Sequence, residues 1–236
     1  MHKICIYDSR MPSDIIANLE KLGFILVPTV DLEVTKSALD THPDIQVCKI
    51  SDKNVVVEPN LYNYYEKNLS KYGIIVKRGS TEVSKKYPYD SSYNAAVGNG
   101  KIICNFNYID KVIKEDCGSL EAINVNQGYT KCNVLFTRSG VITSDMGIFK
   151  SVDDPKLIIS PGNIKLDGFS YGFIGGASGY YDGSVYFLGD ISTHPDYENI
   201  KKFLEKEDTR IVSLSDGGLM DYGSLIFLEV ENGWNY

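Results

Sequence analysis

The sequence predicts an α/β protein, a five-bladed α/β propeller of ββαβ units closed by pairing of its N- and C-terminal strands. Three observations lead there. The first is a recurring hairpin. Residues 132–145 (CNVLFTRSGVITSD) run as an apolar stretch, a polar break at Arg138-Ser139-Gly140 and a second apolar stretch. The same outline returns at 44–58, 94–105 and 177–188, and a split copy pairs residues 224–229 with residues 3–8. The second is spacing, because successive hairpins start 38 to 49 residues apart and each complete one leads into a helix-like stretch and a short apolar run. The third is the pair of chain ends. The first unit lacks its opening strand and the last contains nothing else, so the two complete one another. A three-stranded unit cannot bury both of its faces alone, and a closed ring leaves few exposed sheet edges.

The elements follow in order. Residues 3–7 read as a strand. Residues 12–22 place Ile15, Ile16, Leu19 and Leu22 on one helical face before Gly23, and 24–27 return as a strand. The first complete hairpin, 45–50 and 55–58, turns at 51–54. Leu61, Tyr64, Tyr65, Leu69 and Tyr72 then recur at helical spacing up to Gly73, and 74–77 form a strand. The second hairpin turns at Gly98-Asn99-Gly100, which supplies residues able to take positive φ. A helix over 108–115 and a strand over 122–125 follow. After the third hairpin a short helix is expected at 147–151 and a return strand between 157 and 166. The fourth turns at Asp182-Gly183. Beyond it Thr193 is expected to cap a helix with Pro195 in its first turn and Tyr197, Ile200, Phe203 and Leu204 as its buried stripe. Residues 210–214 return, and 224–229 end the pattern. No Pro/Gly/Ser-rich linker or shift of composition divides the chain, so one domain over 1–236 is expected.

Composition narrows the function. A net charge of −7 and an isoelectric point near 5.0, without any basic run, argue against a nucleic-acid partner, which needs clustered Lys and Arg. The five cysteines, at 5, 48, 104, 117 and 132, form no CxxC pair, and Cys5, Cys48 and Cys104 lie in apolar runs. That is reducing-compartment usage. The N-terminus enters a strand directly and no stretch approaches a membrane span, so a cytoplasmic protein without a membrane partner is expected. The three histidines are not spaced with cysteines or carboxylates as a zinc site requires, and no metal or cofactor is expected. The glycine-rich stretch 172–183 (GFIGGASGYYDG) lacks the Lys-Ser/Thr of a P-loop and opens a hairpin, so it is a weak phosphate signal.

A five-fold ring of ββαβ units resembles the pentein, or guanidine-modifying enzyme, fold. CNVLFTRSGVITSD looks like the hairpin after that superfamily's Glu-Gly-Gly-Asp motif, and DGGLMDYGSLIFL (216–228) looks like its closing strand. The chain is also similar to a bacterial group assigned to this fold. The resemblance implies arginine and agmatine deiminases, dimethylarginine dimethylaminohydrolases, amidinotransferases and non-catalytic ribosome anti-association factors as relatives. Its enzymes use a cysteine nucleophile at the start of the last strand, a histidine at the mouth of the fourth unit and carboxylates that grip the guanidinium. Here Asp221, Tyr222 and Gly223 stand in the cysteine's region. Gly176, Ala177 and Ser178 stand in the histidine's, and Thr130, Lys131, Cys132 and Asn133 stand where Glu-Gly-Gly-Asp would be read. The resemblance thus implies that the hydrolytic machinery is absent.

In such a ring the segment before each hairpin faces the central cavity. His42, Asp44, Tyr93, Asn94, Cys132, Asn133, Ser178 and Asp221 are the ligand-binding residues expected there, with Asp44 and Asp221 holding a cation and Tyr93, Asn94 and Asn133 orienting it. The competing expectation is that they cap strands in a closed structural pore. The function expected is non-catalytic binding of a small guanidino or amine cation. Two alternatives stay open: an enzyme with a non-standard Cys132, His42 and Asp44 site, and an interaction module like the anti-association factors, with a protein partner. Against the enzyme stands a repeat, because His42 sits in Thr-His-Pro-Asp, which returns at 193–196 where it looks like a helix cap.

Overall fold

In a computed structural model, residues 1–35 and 37–231 are described, and their strands fall into five three-stranded sheets. The chain opens with β1 (His2–Tyr7), α1 (Ser13–Lys21) and β2 (Ile25–Pro28). A first blade follows with α2 (Pro43–Gln46), β3 (Val47–Ser51), β4 (Asn54–Val57), α3 (Tyr62–Leu69) and β5 (Ile75–Arg78). The second holds β6 (Ala96–Gly98), β7 (Lys101–Cys104), α4 (Lys111–Asp116) and β8 (Glu121–Asn124). The third holds α5 (Thr130–Asn133), β9 (Val134–Phe136), β10 (Val141–Thr143), α6 (Met146–Ser151) and β11 (Lys156–Ile158). The fourth holds β12 (Ser178–Tyr181), β13 (Ser184–Phe187), α7 (Tyr197–Lys206) and β14 (Arg210–Ser213), and β15 (Ile226–Val230) comes last.

Every blade has the same topology: an antiparallel hairpin, a helical crossover and a third strand parallel to the second. The closing blade obtains it from both ends of the chain. β15 pairs antiparallel with β1 from His2↔Val230 to Ile6↔Ile226, and β1 pairs parallel with β2. Two of the hairpins turn on residues with positive φ, Asn99-Gly100 and Asp182-Gly183, as a two-residue turn between twisted strands requires.

The apolar runs have a direct cause. Successive side chains point to opposite faces of a strand, and here both faces are covered. Ile4 and Ile6 pack with Val47, Val55 and Val57 of the first blade, whereas Cys5 and Tyr7 pack with Tyr186 and Leu188 of the fourth. Val47 joins the closing blade's cluster while its neighbour Cys48 joins Ile102 and Cys104 of the second. Two further clusters join the second blade to the third and the third to the fourth. Each crossover helix stands between its own blade and the preceding one, with Leu19, Leu69, Ile113, Ile148 and Leu204 fully buried.

One further device recurs in all blades. The second strand of each hairpin ends in, or is followed within three residues by, a polar residue whose side chain accepts the backbone N–H two residues on. These pairs are Asp8 with Arg10 (2.8 Å), Glu58 with Asn60 (2.7 Å), Asn105 with Asn107 (3.1 Å), Thr143 with Asp145 (3.1 Å) and Asp190 with Ser192 (2.9 Å). Such a bond turns the chain out of the sheet toward its helix.

Several boundaries differ from the sequence expectation. The hairpin strands start later than expected, because residues 43–46 and 130–133 wind into single helical turns before β3 and β9. Pro43 at the first helical position favours one, and the Thr130 hydroxyl bonded to the Asn94 carbonyl (2.7 Å) anchors the other. The second helix begins at Lys111 because Asp110 accepts the Val112 N–H (2.8 Å). Thr193 caps nothing. It closes a 3-10 turn whose first N–H groups are held by Asp190, and α7 starts after Asp196, whose carboxylate reaches across to the Ser160 N–H (2.6 Å).

Closure predicts a cooperative cost. Leu228 is fully buried and pairs with Ile4 across the β15–β1 seam, so Leu228→Ala should lower unfolding free energy by about 2–5 kcal/mol in urea titrations. Ile4→Ala combined with it should depart from additivity by about 0.5 kcal/mol or more. A loss under about 1 kcal/mol would mean that the seam lies outside the cooperative unit.

Candidate functional site

The strands that begin each hairpin bring their preceding turns to one end of the ring axis, where a polar cluster is buried. Proline at position 43 starts α2 and sets Asp44 in its first turn, with the Asp44 N–H donating to the Gly223 carbonyl (3.1 Å). One Asp44 oxygen, Oδ2, accepts from the Ser224 hydroxyl (2.8 Å) and the Cys132 thiol (3.1 Å), and Oδ1 has no partner. Asn94 ties three blades together. Its Oδ1 accepts from the Lys131 and Cys132 N–H groups (2.8 and 3.2 Å), and its Nδ2 donates to the Asp44 carbonyl and the Cys132 sulfur (3.2 and 3.1 Å).

Asp221 accepts from the Gly223 and Phe173 N–H groups, both at 2.9 Å. His42 lies between two acids, Nδ1 at 4.0 Å from Asp221 Oδ1 and Nε2 at 3.9 Å from Asp8 Oδ2, and neither ring nitrogen is hydrogen-bonded. Asp8 is held by Arg10 through both carboxylate oxygens, and the same guanidinium donates to the Ala38 carbonyl (2.7 Å). Gly176 and Gly223 are required here. A Cβ at Gly176 would stand 2.1 Å from Asp221 Oδ1, and one at Gly223 would stand 2.3 Å from His42 Cβ.

Electrostatics follow from burial. Desolvation lifts the Asp221 carboxyl to about 6; His42 opposes the rise and Asp44 adds to it. Burial, then Asp44 and Asp221, push the Cys132 thiol well above its ordinary value. That thiol is a hydrogen-bond donor to Asp44, which is the opposite of an activated thiolate. Among the described residues no group of three or more His, Cys, Asp or Glu is arranged to hold a metal ion, and no helix is long and apolar enough to cross a membrane.

Of the residues singled out by sequence, His42, Asp44, Asn94, Cys132 and Asp221 converge in this cluster. Three others are engaged elsewhere. Tyr93 enters the apolar layer between the first two blades and donates to the Thr81 carbonyl (2.7 Å). Asn133 donates to the Tyr129 carbonyl (2.9 Å), and Ser178 to the Ile174 carbonyl (2.6 Å). Asp8, Lys131 and Ser224 belong to the axis and were missed. Asp8 ends a strand of the split blade, and Ser224 reads as an ordinary first strand residue. Lys131 stood out only as a departure from a motif.

The open part of the channel lies further along the same strands. A chamber of about 200 Å³ is lined by β3, β6, β9, β12 and β15, including Val47, Val97, Leu135, Tyr180 and Phe227, with Lys131 also in its wall. The channel therefore has a closed acidic end and an open, mainly apolar end.

A family model described as "Family of unknown function (DUF6873)" matches residues 6–226. No curated protein matches the sequence. Among solved structures, DDAH from Pseudomonas aeruginosa complexed with citrulline aligns with a TM-score of 0.56 at 11% identity, covering 91% of each chain. An amidinotransferase of the saxitoxin biosynthetic pathway from Microseira wollei aligns with a TM-score of 0.56 at 10% identity, over 99% of this chain and 96% of its own. The inosamine-phosphate amidinotransferase of Streptomyces griseus reaches 0.51 at 11% identity, over 93% and 79%. The fold is thus that of the pentein superfamily, and identities this low carry the fold alone.

The cluster makes a pH prediction. Asp221 holds its proton more tightly folded than unfolded, so its contribution to stability is complete below about pH 4 and is lost as pH rises through about 6. The slope, on the order of 2–3 kcal/mol in total, should vanish from denaturation profiles of Asp221→Asn. An unchanged slope in that variant would assign it to another group.

Proposed function

Because the chain belongs to the DUF6873 family and carries the pentein fold, we propose that it is a non-catalytic, cytoplasmic protein that holds a small guanidino or amine cation at the acidic end of its central channel. The observation that carries this is the unbalanced polar cluster. Three buried acids, Asp8, Asp44 and Asp221, meet at the axis; among the described residues only Asp8 has a guanidinium on it, Lys131 attracts Asp44 and Asp221 without a hydrogen bond to either, and Asp44 Oδ1 and both His42 nitrogens are without partners. Buried polar groups without partners are costly, and a planar cation that donates to Asp44 and Asp221 would supply what is missing. Entry would require the segment 172–176, whose Phe173 N–H is bonded to Asp221, to move aside. The relatives lend chemistry in the same direction, since those enzymes are named for dimethylarginine and for amidino transfer. The Cys132 thiol supports the non-catalytic part, as a donor to a carboxylate rather than a base-activated nucleophile.

A thermal-shift screen tests the ligand class. Arginine, agmatine, methylated arginines, creatine and simple amines, at about a hundred times their dissociation constant, should raise the midpoint by roughly 5 to 10 °C, and Asp44→Asn or Asp221→Asn should remove the shift. No shift across the panel would overturn the cationic ligand. Alkylation tests the absence of chemistry. All five thiols are buried, so Cys132 in the folded protein should react at least roughly tenfold more slowly than in the unfolded chain. A fast-labelling Cys132 would restore the enzymatic alternative.

A further inference from the structure

The chamber at the open end of the channel has its own chemistry. Its walls are apolar side chains from all five inner strands, brought close by glycines that leave room for rings. Gly98 lies against Phe136 and Gly179 against Phe227, where a Cβ would stand within 2.6 and 2.8 Å of ring atoms. No aspartate or glutamate lines it among the described residues, and two lysines do. Lys49 is already engaged, donating to Asp52 and to the Phe227 carbonyl, both at 2.7 Å. Lys131 is not. It is half-buried, and among the described residues its ammonium meets no acceptor.

We propose that this chamber is a second ligand site, which takes a small apolar carboxylate with its charged end on the Lys131 ammonium and its hydrocarbon against Val97, Leu135, Phe136, Tyr180 and Phe227. A half-buried ammonium in the wall of an apolar chamber, hydrogen-bonded to no protein acceptor among the described residues, is complementary to a ligand carboxylate, which supplies a charge-assisted bond that the protein does not. The acids at the axis attract Lys131 through space, and among the described residues none of them is hydrogen-bonded to its ammonium. Burial lowers the Lys131 pKa while Asp44, Cys132 and Asp221 oppose that and Lys49 adds to it, which marks the amine as desolvated. About 200 Å³ corresponds to six or seven water volumes of about 30 Å³, which sets the scale at a ring or a short-chain acid. One charged group in an apolar concavity is the usual division of labour in such sites, with the charge fixing orientation.

Calorimetric titration of the full chain with benzoate and octanoate, against benzamide, octanamide and octylamine, tests this. The carboxylates should bind at least tenfold more tightly than the matching amides. Lys131→Met should weaken the carboxylates at least tenfold while leaving the amides unchanged or tighter, and Val97→Trp, which fills the chamber, should weaken both. Amides that bind as well as acids, carboxylates unaffected by Lys131→Met, or no carboxylate binding at millimolar concentration would overturn the assignment. Should Lys131→Met fail to fold, the acid–amide comparison on the unaltered protein decides alone. Octylamine binding above octanoate would overturn this site yet leave the cation at the acidic end standing, so failure of one is distinguishable from failure of the other.

Discussion

Everything in this ring depends on one constraint: each sheet is apolar on both faces and must find a neighbour on each side. Four of the blades come from contiguous chain, and a row of four would leave two greasy faces in water. The fifth blade removes both at once. Its β15–β1 ladder joins the ends, Ile4 and Ile6 turn to the first blade, and Cys5 and Tyr7 turn to the fourth. Helices inserted between successive sheets act as spacers, so the angle between blades is set by side chains such as Tyr65 and Leu204 and not by the backbone pairing of separate sheets.

The closed ring then decides the electrostatics of its axis. Backbone segments from every blade converge there, water is excluded, and the effective dielectric falls, which strengthens each charge interaction and penalises each unmatched one. Asn94, from the second blade, satisfies groups of the first and the third with one amide, and Asp44 gathers a hydroxyl and a thiol. The polarity is confined to one end. Further along the inner strands the same axis is walled by valine, leucine and aromatic rings, so the channel runs from acid to hydrocarbon within a few residues of each strand.

Much of the architecture was legible because its signals are local. Asn99-Gly100 and Asp182-Gly183 announce their turns, and the spacing of Leu61, Tyr65 and Leu69 announces a helix. The orphan strands at the two ends announce the seam. What stayed hidden depends on contacts across the ring. The single turns α2 and α5 are four residues each and carry no periodicity to detect. The repeated i to i+2 bond after the second strand uses Asp, Glu, Asn and Thr in turn, so sequence self-similarity does not reveal it. Site residues suffered the same limit. Knowing that residues 93, 133 and 178 stand near strand starts gives no side-chain direction, because a helical turn rotates it by about 100° per residue and a strand reverses it at each step. Tyr93, Asn133 and Ser178 point away for that reason, and Asp8 was overlooked because its blade is split.

The glycines at the axis limit what the cluster can become. Gly176 and Gly223 have no volume to give, because the Asp221 carboxylate and the His42 side chain fill it. Any side chain introduced at either position alone would be driven into a neighbour, so Asp221 or His42 would first have to shrink. The packing is a reciprocal lock: the two glycines admit the buried acid and imidazole, and these in turn forbid anything larger than glycine.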